Sequence, residues 1–300
     1  MTEYRFLQRL KQGVLVSDGA TGTNLQKYGL PRGVASDVWV LDQPQKVLQL
    51  HREFIAAGSD ILLTNTFGGS RIRLAKSNLE DRSVELNRAA VALARQAAVG
   101  TEALVAGSMG PTGELLYPNG RLQEDEMRTA FTEQAHTLVE AGVDLLVVET
   151  QFDLAEAKIA IESIRSFSDL PVVCSFSFDR GTRTMMGVKP TQLAAELEPL
   201  GVNLLGINCG KNLPDNLLNL QALRQSTQLP IWFKPNAGLP HIDENGESIY
   251  DVSPDDMGLH ARTWVENGAA IVGGCCGTSP EHLHQIALHV KEYSADDRKN

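Results

Sequence analysis

Eight short apolar runs, separated by longer stretches of helical periodicity, constrain this chain more than any other feature of its sequence. The runs occupy residues 14–17, 60–64, 103–108, 144–149, 171–176, 203–208, 230–234 and 270–274. They are rich in Val, Ile and Leu and mostly lack the polar alternation of a half-exposed sheet, so they predict parallel strands buried on both faces. Helical patterns fill the intervals at 45–57, 81–98, 124–141, 153–167, 190–200, 214–226, 254–267 and 280–292; Met127, Phe131, Ala135 and Leu138 form one such stripe. Ser253-Pro254 and Ser279-Pro280 supply a capping residue followed by a proline at the first helical position. Four segments, AAGSD at 56–60, EAGVD at 140–144, PLGVN at 199–203 and ENGAA at 266–270, end a helix on a glycine just before the next strand.

This recurrence describes one βα unit repeated eight times. It favours the α/β class and a closed (β/α)8 TIM barrel over an open doubly wound sheet, and no G-x-G-x-x-G follows the first run. A chain of 300 residues with scattered Pro and Gly reads as one barrel domain over 1–300.

The formal net charge of −10 argues against a nucleic-acid partner, which calls for clustered Lys and Arg. No apolar run is long enough to span a bilayer, and the first residues, MTEYRFLQRLKQG, lack the apolar core of a secretion signal. The four cysteines, Cys174, Cys209, Cys275 and Cys276, form no C-x-x-C pair. A cytoplasmic protein with free or metal-bound thiols is the expectation.

Three of those thiols fall where chemistry is expected. Cys275 and Cys276 close the eighth run in Gly273-Gly274-Cys275-Cys276-Gly277-Thr278. Adjacent side chains of a regular strand point to opposite faces, so a shared target requires the backbone to leave strand geometry there, which Gly273, Gly274 and Gly277 permit. Cys209 closes the sixth run, whose tip opens onto the same rim of a barrel. Three thiolates with one open position make a zinc site able to admit a substrate thiol, and soft sulfur favours zinc over magnesium or calcium. An alkyl thiol has a pKa of about 8.5 and is deprotonated outright on zinc. A fourth thiolate would give the centre a formal charge of about −2, which keeps the bound sulfur nucleophilic. Two other uses of these residues stand beside this one: buried cysteines as small hydrophobes, the reading given to Cys174, and a vicinal disulfide at 275–276. A further alternative is a Schiff-base barrel using Lys234.

At these residues the sequence resembles the homocysteine S-methyltransferase family, and within it the homocysteine-binding barrel of cobalamin-dependent methionine synthase. The resemblance runs from Asp18-Gly19-Ala20-Thr21-Gly22-Thr23 through Thr64-Asn65-Thr66-Phe67-Gly68, Gly110-Pro111-Thr112-Gly113, Glu149-Thr150, Gly206-Ile207-Asn208-Cys209 and Pro235-Asn236-Ala237-Gly238 to the Cys275-Cys276 segment. It implies a single homocysteine-binding barrel with Zn2+ on Cys209, Cys275 and Cys276, and Asn236 in the fourth position until substrate displaces it. It also implies that Asp18 and Glu149 bind the substrate ammonium, with turn amides at Gly19 and Ala20 holding its carboxylate. Ser108 lines the same end. Asn65 and Asn208 support the rim.

The expected reaction is methyl transfer to homocysteine, giving methionine. Betaine-using relatives carry a Tyr where this chain has Gly68, and no D-x-H-x-x-G cobalamin motif is present. The expected donor is therefore methylcobalamin or another methyl-corrinoid on a separate partner protein. S-methylmethionine, S-adenosylmethionine and betaine are alternatives, as is a non-catalytic homocysteine- or zinc-binding barrel.

Overall fold

A computed structural model describes residues 3–242 and 248–297. The expected domain of 1–300 thus extends over residues 1–2, 243–247 and 298–300, which lie outside the description. The eight expected strands are all present as β1 (Leu15–Val16), β2 (Ile61–Leu63), β3 (Leu104–Met109), β4 (Leu145–Gln151), β5 (Val172–Phe176), β6 (Leu204–Cys209), β7 (Ile231–Pro235) and β8 (Ala269–Val272). Every neighbouring pair is parallel, and β8 lies between β7 and β1. A parallel bridge from Ser17 to Ile61 joins β1 to β2 and closes the sheet on itself. The result is a (β/α)8 barrel.

Side chains alternate between two buried environments. Leu15, Ile61, Leu104, Ala106, Leu145, Val147, Val173 and Leu204 form one cluster inside the barrel. Their strand neighbours Val16, Leu62, Val105, Leu146, Val172 and Leu205 belong to the larger layer shared with the helices. This double burial is why the strands read as continuous apolar runs. Cys174 sits in that outer layer, fully buried, as a small hydrophobe.

The expected helices appear with ends shifted by a few residues, for example Pro44–Ala57, Glu124–Glu140 and Pro254–Glu266. Gly58, Gly142, Gly201 and Gly268, the recurring glycines of the repeat, all take positive φ between 80° and 106°. That left-handed conformation turns the chain from helix to strand.

Several short elements escaped the sequence reading. The helix Arg5–Leu10 places Phe6, fully buried, in the inner cluster, with Leu7 and Leu10 packed against it. It covers the end of the barrel opposite the strand tips. Between β7 and the next helix, Pro240–Ile242 and Ser248–Tyr250 pair as an antiparallel hairpin.

A candidate metal centre at the barrel mouth

The tip of β6 leaves the sheet through a left-handed pair, Cys209 at φ 57° and Gly210 at φ 79°. Three side chains hold this turn. Asn216 Nδ2 donates to the Cys209 carbonyl at 2.7 Å, Asn236 Nδ2 donates to the Gly210 carbonyl at 2.8 Å, and Ser177 Oγ accepts from Gly210 N–H at 3.3 Å. Past the end of β8 the chain stays attached to β7, since Cys275 N–H donates to the Pro235 carbonyl at 2.8 Å. It then folds back, with Thr278 N–H donating to the Cys275 carbonyl at 3.1 Å. Gly277, at φ 84°, makes this turn possible, and a Cβ there would lie 2.2 Å from the Tyr250 ring. Pro235, opposite Cys209 in the β6–β7 register, stands between the two cysteine segments.

The three sulfurs therefore converge. Cys209, Cys275 and Cys276 Sγ all lie within 4.8 Å of one another, and the Cys209–Cys275 separation is 2.8 Å. This cluster can hold a metal ion. Its electrostatics fit a cation: three adjacent thiols cannot all ionise unaided. Hydrogen bonding to Cys275 and Cys276 pushes the Cys209 thiol well above the ordinary range, while hydrogen bonds from Cys209 and Cys275 hold Cys276 well below it. Asn236 Oδ1 is buried without a hydrogen-bond partner among the described residues. An orphaned oxygen on a side chain that also braces the Cys209–Gly210 turn is the kind of atom a metal would satisfy.

Beside the sulfurs opens a cleft of about 440 Å³. Asp18, Gly19, Ala20, Ser108 and Glu149 all line it, together with the three cysteines. Glu149 is placed by a bulge in β4 between Val148 and Gln151, where Thr150 takes φ 58°. Bulges of this kind re-aim a side chain. The Glu149 carboxylate accepts from Ser108 Oγ. Burial raises its pKa to about 7, against the lowering influence of Lys234.

One expectation needs correction, and Asp18 has partners that the sequence does not reveal. The Ala20 amide already donates to the Thr278 carbonyl and to Thr278 Oγ1, both at 3.1 Å, so it is not a vacant donor for a substrate carboxylate. Asp18 is not a bare anion either. Its Oδ2 accepts from Leu63 N–H at 2.7 Å, and its Oδ1 pairs with Lys234 Nζ at 2.6 Å in a fully buried ion pair. Burial opposes the Lys234 charge, but Asp18 and Glu149 outweigh it and raise its pKa. A firmly protonated amine is a poor Schiff-base nucleophile, which removes the main support for that alternative.

Lys234 and Tyr250 are thus site residues that the sequence reading did not assign to this centre. A lysine ending a run buried on both faces demands a buried carboxylate partner, a signal that was available. Tyr250, whose hydroxyl is hydrogen bonded to Cys276, lies on the unforeseen hairpin and carries no such signal. Asn65 and Asn208 do brace the rim: Asn65 Nδ2 donates to the Ser36 carbonyl at 2.8 Å, and Asn208 bonds to Thr150.

Fold and site together define a (β/α)8 barrel protein with a cluster of three cysteine thiols, able to hold a metal ion, beside a cleft at the strand tips. Residues 15–290 match the family model of homocysteine S-methyltransferase, and the chain belongs to that family. It is 32% identical to the methionine synthase of Mycobacterium tuberculosis over 98% of its own length, and 32% identical to that of Mycobacterium leprae over 95%. It spans only about a quarter of those relatives, 26% and 25%. The structure of the homocysteine methyltransferase MmuM from Escherichia coli in its metallated form superposes with a TM-score of 0.80 at 25% identity, covering 95% of this chain and 98% of that one. Among the described residues, no helix is long and apolar enough to cross a membrane.

Proposed function

We propose that this barrel, acting as one homocysteine-binding domain, methylates homocysteine to methionine at a zinc ion held by Cys209, Cys275 and Cys276. Asn236 Oδ1 is the fourth ligand before substrate arrives. The observation that carries this reading is the convergence of three sulfurs beside a cleft that also holds Asp18 and Glu149. Bound zinc supplies a homocysteine sulfur that is deprotonated, and hence nucleophilic, at neutral pH.

The chain's own residues do the rest. Asp18 and Glu149 bind the substrate ammonium. With both carboxyls ionised and Lys234 protonated, these three groups carry one unbalanced negative charge, which the ammonium neutralises. Gly19 and Ser108 line the place of the substrate carboxylate. Leu63 and Phe67 give the cleft an apolar wall that limits water near the sulfur. Fixing both ends of the amino acid orients its sulfur for attack on the methyl group. A reducing cytoplasm suits an enzyme that depends on free thiols.

The donor in this reading is a methyl-corrinoid carried by a separate protein. The resemblance of the rim motifs to the homocysteine-binding barrel of cobalamin-dependent methionine synthase supports it. So does the cleft wall. Phe67 is the single aromatic residue lining the cleft among the described residues, and the Arg73 guanidinium already lies 5.3 Å from its ring centre. A sulfonium or quaternary ammonium donor seeks aromatic faces for its charge and would meet a resident cation instead.

The test is to incubate purified protein and homocysteine in parallel with methylcobalamin, S-methylmethionine, S-adenosylmethionine and betaine, and to measure methionine. Methylcobalamin is expected to give the highest yield. Methionine from a sulfonium donor alone would move the donor assignment. None from any donor would leave the non-catalytic homocysteine-binding barrel.

A further inference from the structure

We infer that Asn208 is a positioning residue that ties the metal centre to the carboxylate reading the substrate's amino group; the inference rests on the metal-centre reading given above. Asn208 is fully buried at the end of β6. Its Oδ1 accepts from Thr150 N–H at 2.9 Å and from Ser175 Oγ at 2.5 Å. Its Nδ2 donates to Thr150 Oγ1 at 2.7 Å and reaches Cys209 Sγ at 3.5 Å and Cys275 Sγ at 3.9 Å. The amide cannot be turned over. A backbone N–H only donates, so the oxygen must face Thr150 and the nitrogen must face the sulfurs.

Each edge of this amide has separate work. One edge clamps Thr150, a β-branched residue held at φ 58°, through both its N–H and its hydroxyl. Such a conformation persists only when its surroundings dictate it. Thr150 follows Glu149 directly, so the clamp sets where the Glu149 carboxylate points. The other edge directs an N–H at the two sulfurs, which are thiolates once a metal is bound. Donors behind metal ligands orient them and tune the charge they present, and their loss commonly weakens metal binding by about 10–100-fold. Because one planar group serves both edges, the sulfurs cannot shift relative to Glu149 without breaking a bond. That fixes the span between the amino group and the sulfur, the dimension that distinguishes homocysteine from shorter or longer aminothiols.

Asn208→Asp perturbs both edges. It keeps an acceptor toward the Thr150 N–H and Ser175 Oγ but removes the donor to Thr150 Oγ1 and sets a carboxylate oxygen against the two sulfurs. In the folded variant, zinc affinity measured by chelator competition is expected to fall at least about tenfold. The sulfur-to-metal charge-transfer band of the cobalt-substituted protein should shift. The preference for homocysteine over 4-mercaptobutanoate, which lacks the amino group, should drop several-fold. The wild-type protein gives a readout that needs no variant. Loaded with 113Cd, it should show scalar coupling between cadmium and the Asn208 side-chain amide protons. Absence of that coupling overturns the inference, as do unchanged zinc affinity and an unshifted cobalt band in Asn208→Asp. A wild-type protein that binds neither zinc nor cobalt overturns the metal-centre reading, and this inference with it.

Discussion

Lys234 Nζ lies 2.6 Å from Asp18 Oδ1 although the two residues stand 216 positions apart, and neither side chain is more than 4% exposed. The pair fastens the tip of β7 to the turn after β1, in the wall of the cleft. A buried ion pair broken at one end leaves an uncompensated charge. Lys234→Met should therefore destabilise the protein by about 3–5 kcal/mol. Asp18→Asn combined with Lys234→Met should recover much of that loss, because both charges go together. Denaturant unfolding of the two single variants and the double variant checks the cycle; additive losses would show that the pair contributes no coupling.

Glu149 supplies a pH dependence with a definite sign. Its pKa in the folded protein, about 7, is raised by burial above the ordinary carboxyl value of 4.5. The folded state therefore binds this proton more tightly than the unfolded one. The associated stability is present below the unfolded pKa and is lost as pH rises through about 7. Glu149→Gln should stabilise the metal-free protein at alkaline pH, by at most about 3–4 kcal/mol, and leave it little changed near the bottom of that window. Substrate recognition runs the other way. An ammonium needs the ionised carboxylate, so the preference for homocysteine over 4-mercaptobutanoate should decline as pH falls through about 7. Both trends should vanish in Glu149→Gln, as read by thermal melts and by calorimetric titration across that range.

The three sulfurs should act as one unit. Cys209→Ala, Cys275→Ala and Cys276→Ala are each expected to abolish stoichiometric zinc, and methyl transfer with it, while circular dichroism remains that of the barrel. Cys174→Ala should do neither, since Cys174 lies fully buried among the apolar residues between sheet and helices. Metal analysis of the purified proteins checks this directly. Full zinc content in any of the three rim variants would remove that cysteine from the site.

What could be read from the sequence, and what could not, follows the range of the interactions. The eight strands were legible because burial on both faces writes itself into consecutive residues such as Leu145, Leu146, Val147 and Val148. The convergence of Cys209 with Cys275 and Cys276 was legible once those strands were numbered around a barrel, since tips six and eight flank tip seven. Phe6 was not, because a helix of six residues is too short to show a period. The occupation of the Ala20 amide by Thr278 was not legible either, because it joins residues 258 apart and depends on how the Cys275–Thr278 turn folds back. Thr150 stands out in the sequence only through the Glu149-Thr150 motif of the family resemblance. Nothing in its neighbours announces a left-handed backbone, which arises from the bulge and from Asn208.

Thr150 also yields a stability ordering opposite to the usual one. Glycine is ordinarily the more destabilising replacement in an extended strand, by about 0.5–1 kcal/mol relative to alanine. At φ 58° the Cβ itself is the liability, worth about 1–2 kcal/mol in the left-handed region. Both Thr150→Ala and Thr150→Gly lose the hydroxyl bond to Asn208 Nδ2, a cost of about 1 kcal/mol, and both keep the backbone N–H bond to Asn208 Oδ1. The strain term then decides between them, and Thr150→Gly should be the more stable variant by about 1 kcal/mol. Yet the looser backbone should hold Glu149 less firmly, so Thr150→Gly should discriminate homocysteine from 4-mercaptobutanoate less well than Thr150→Ala. Urea unfolding and parallel binding titrations of the two variants test the ordering. An alanine variant superior in both would mean that the backbone at this bulge relaxes and stores no strain that aims Glu149.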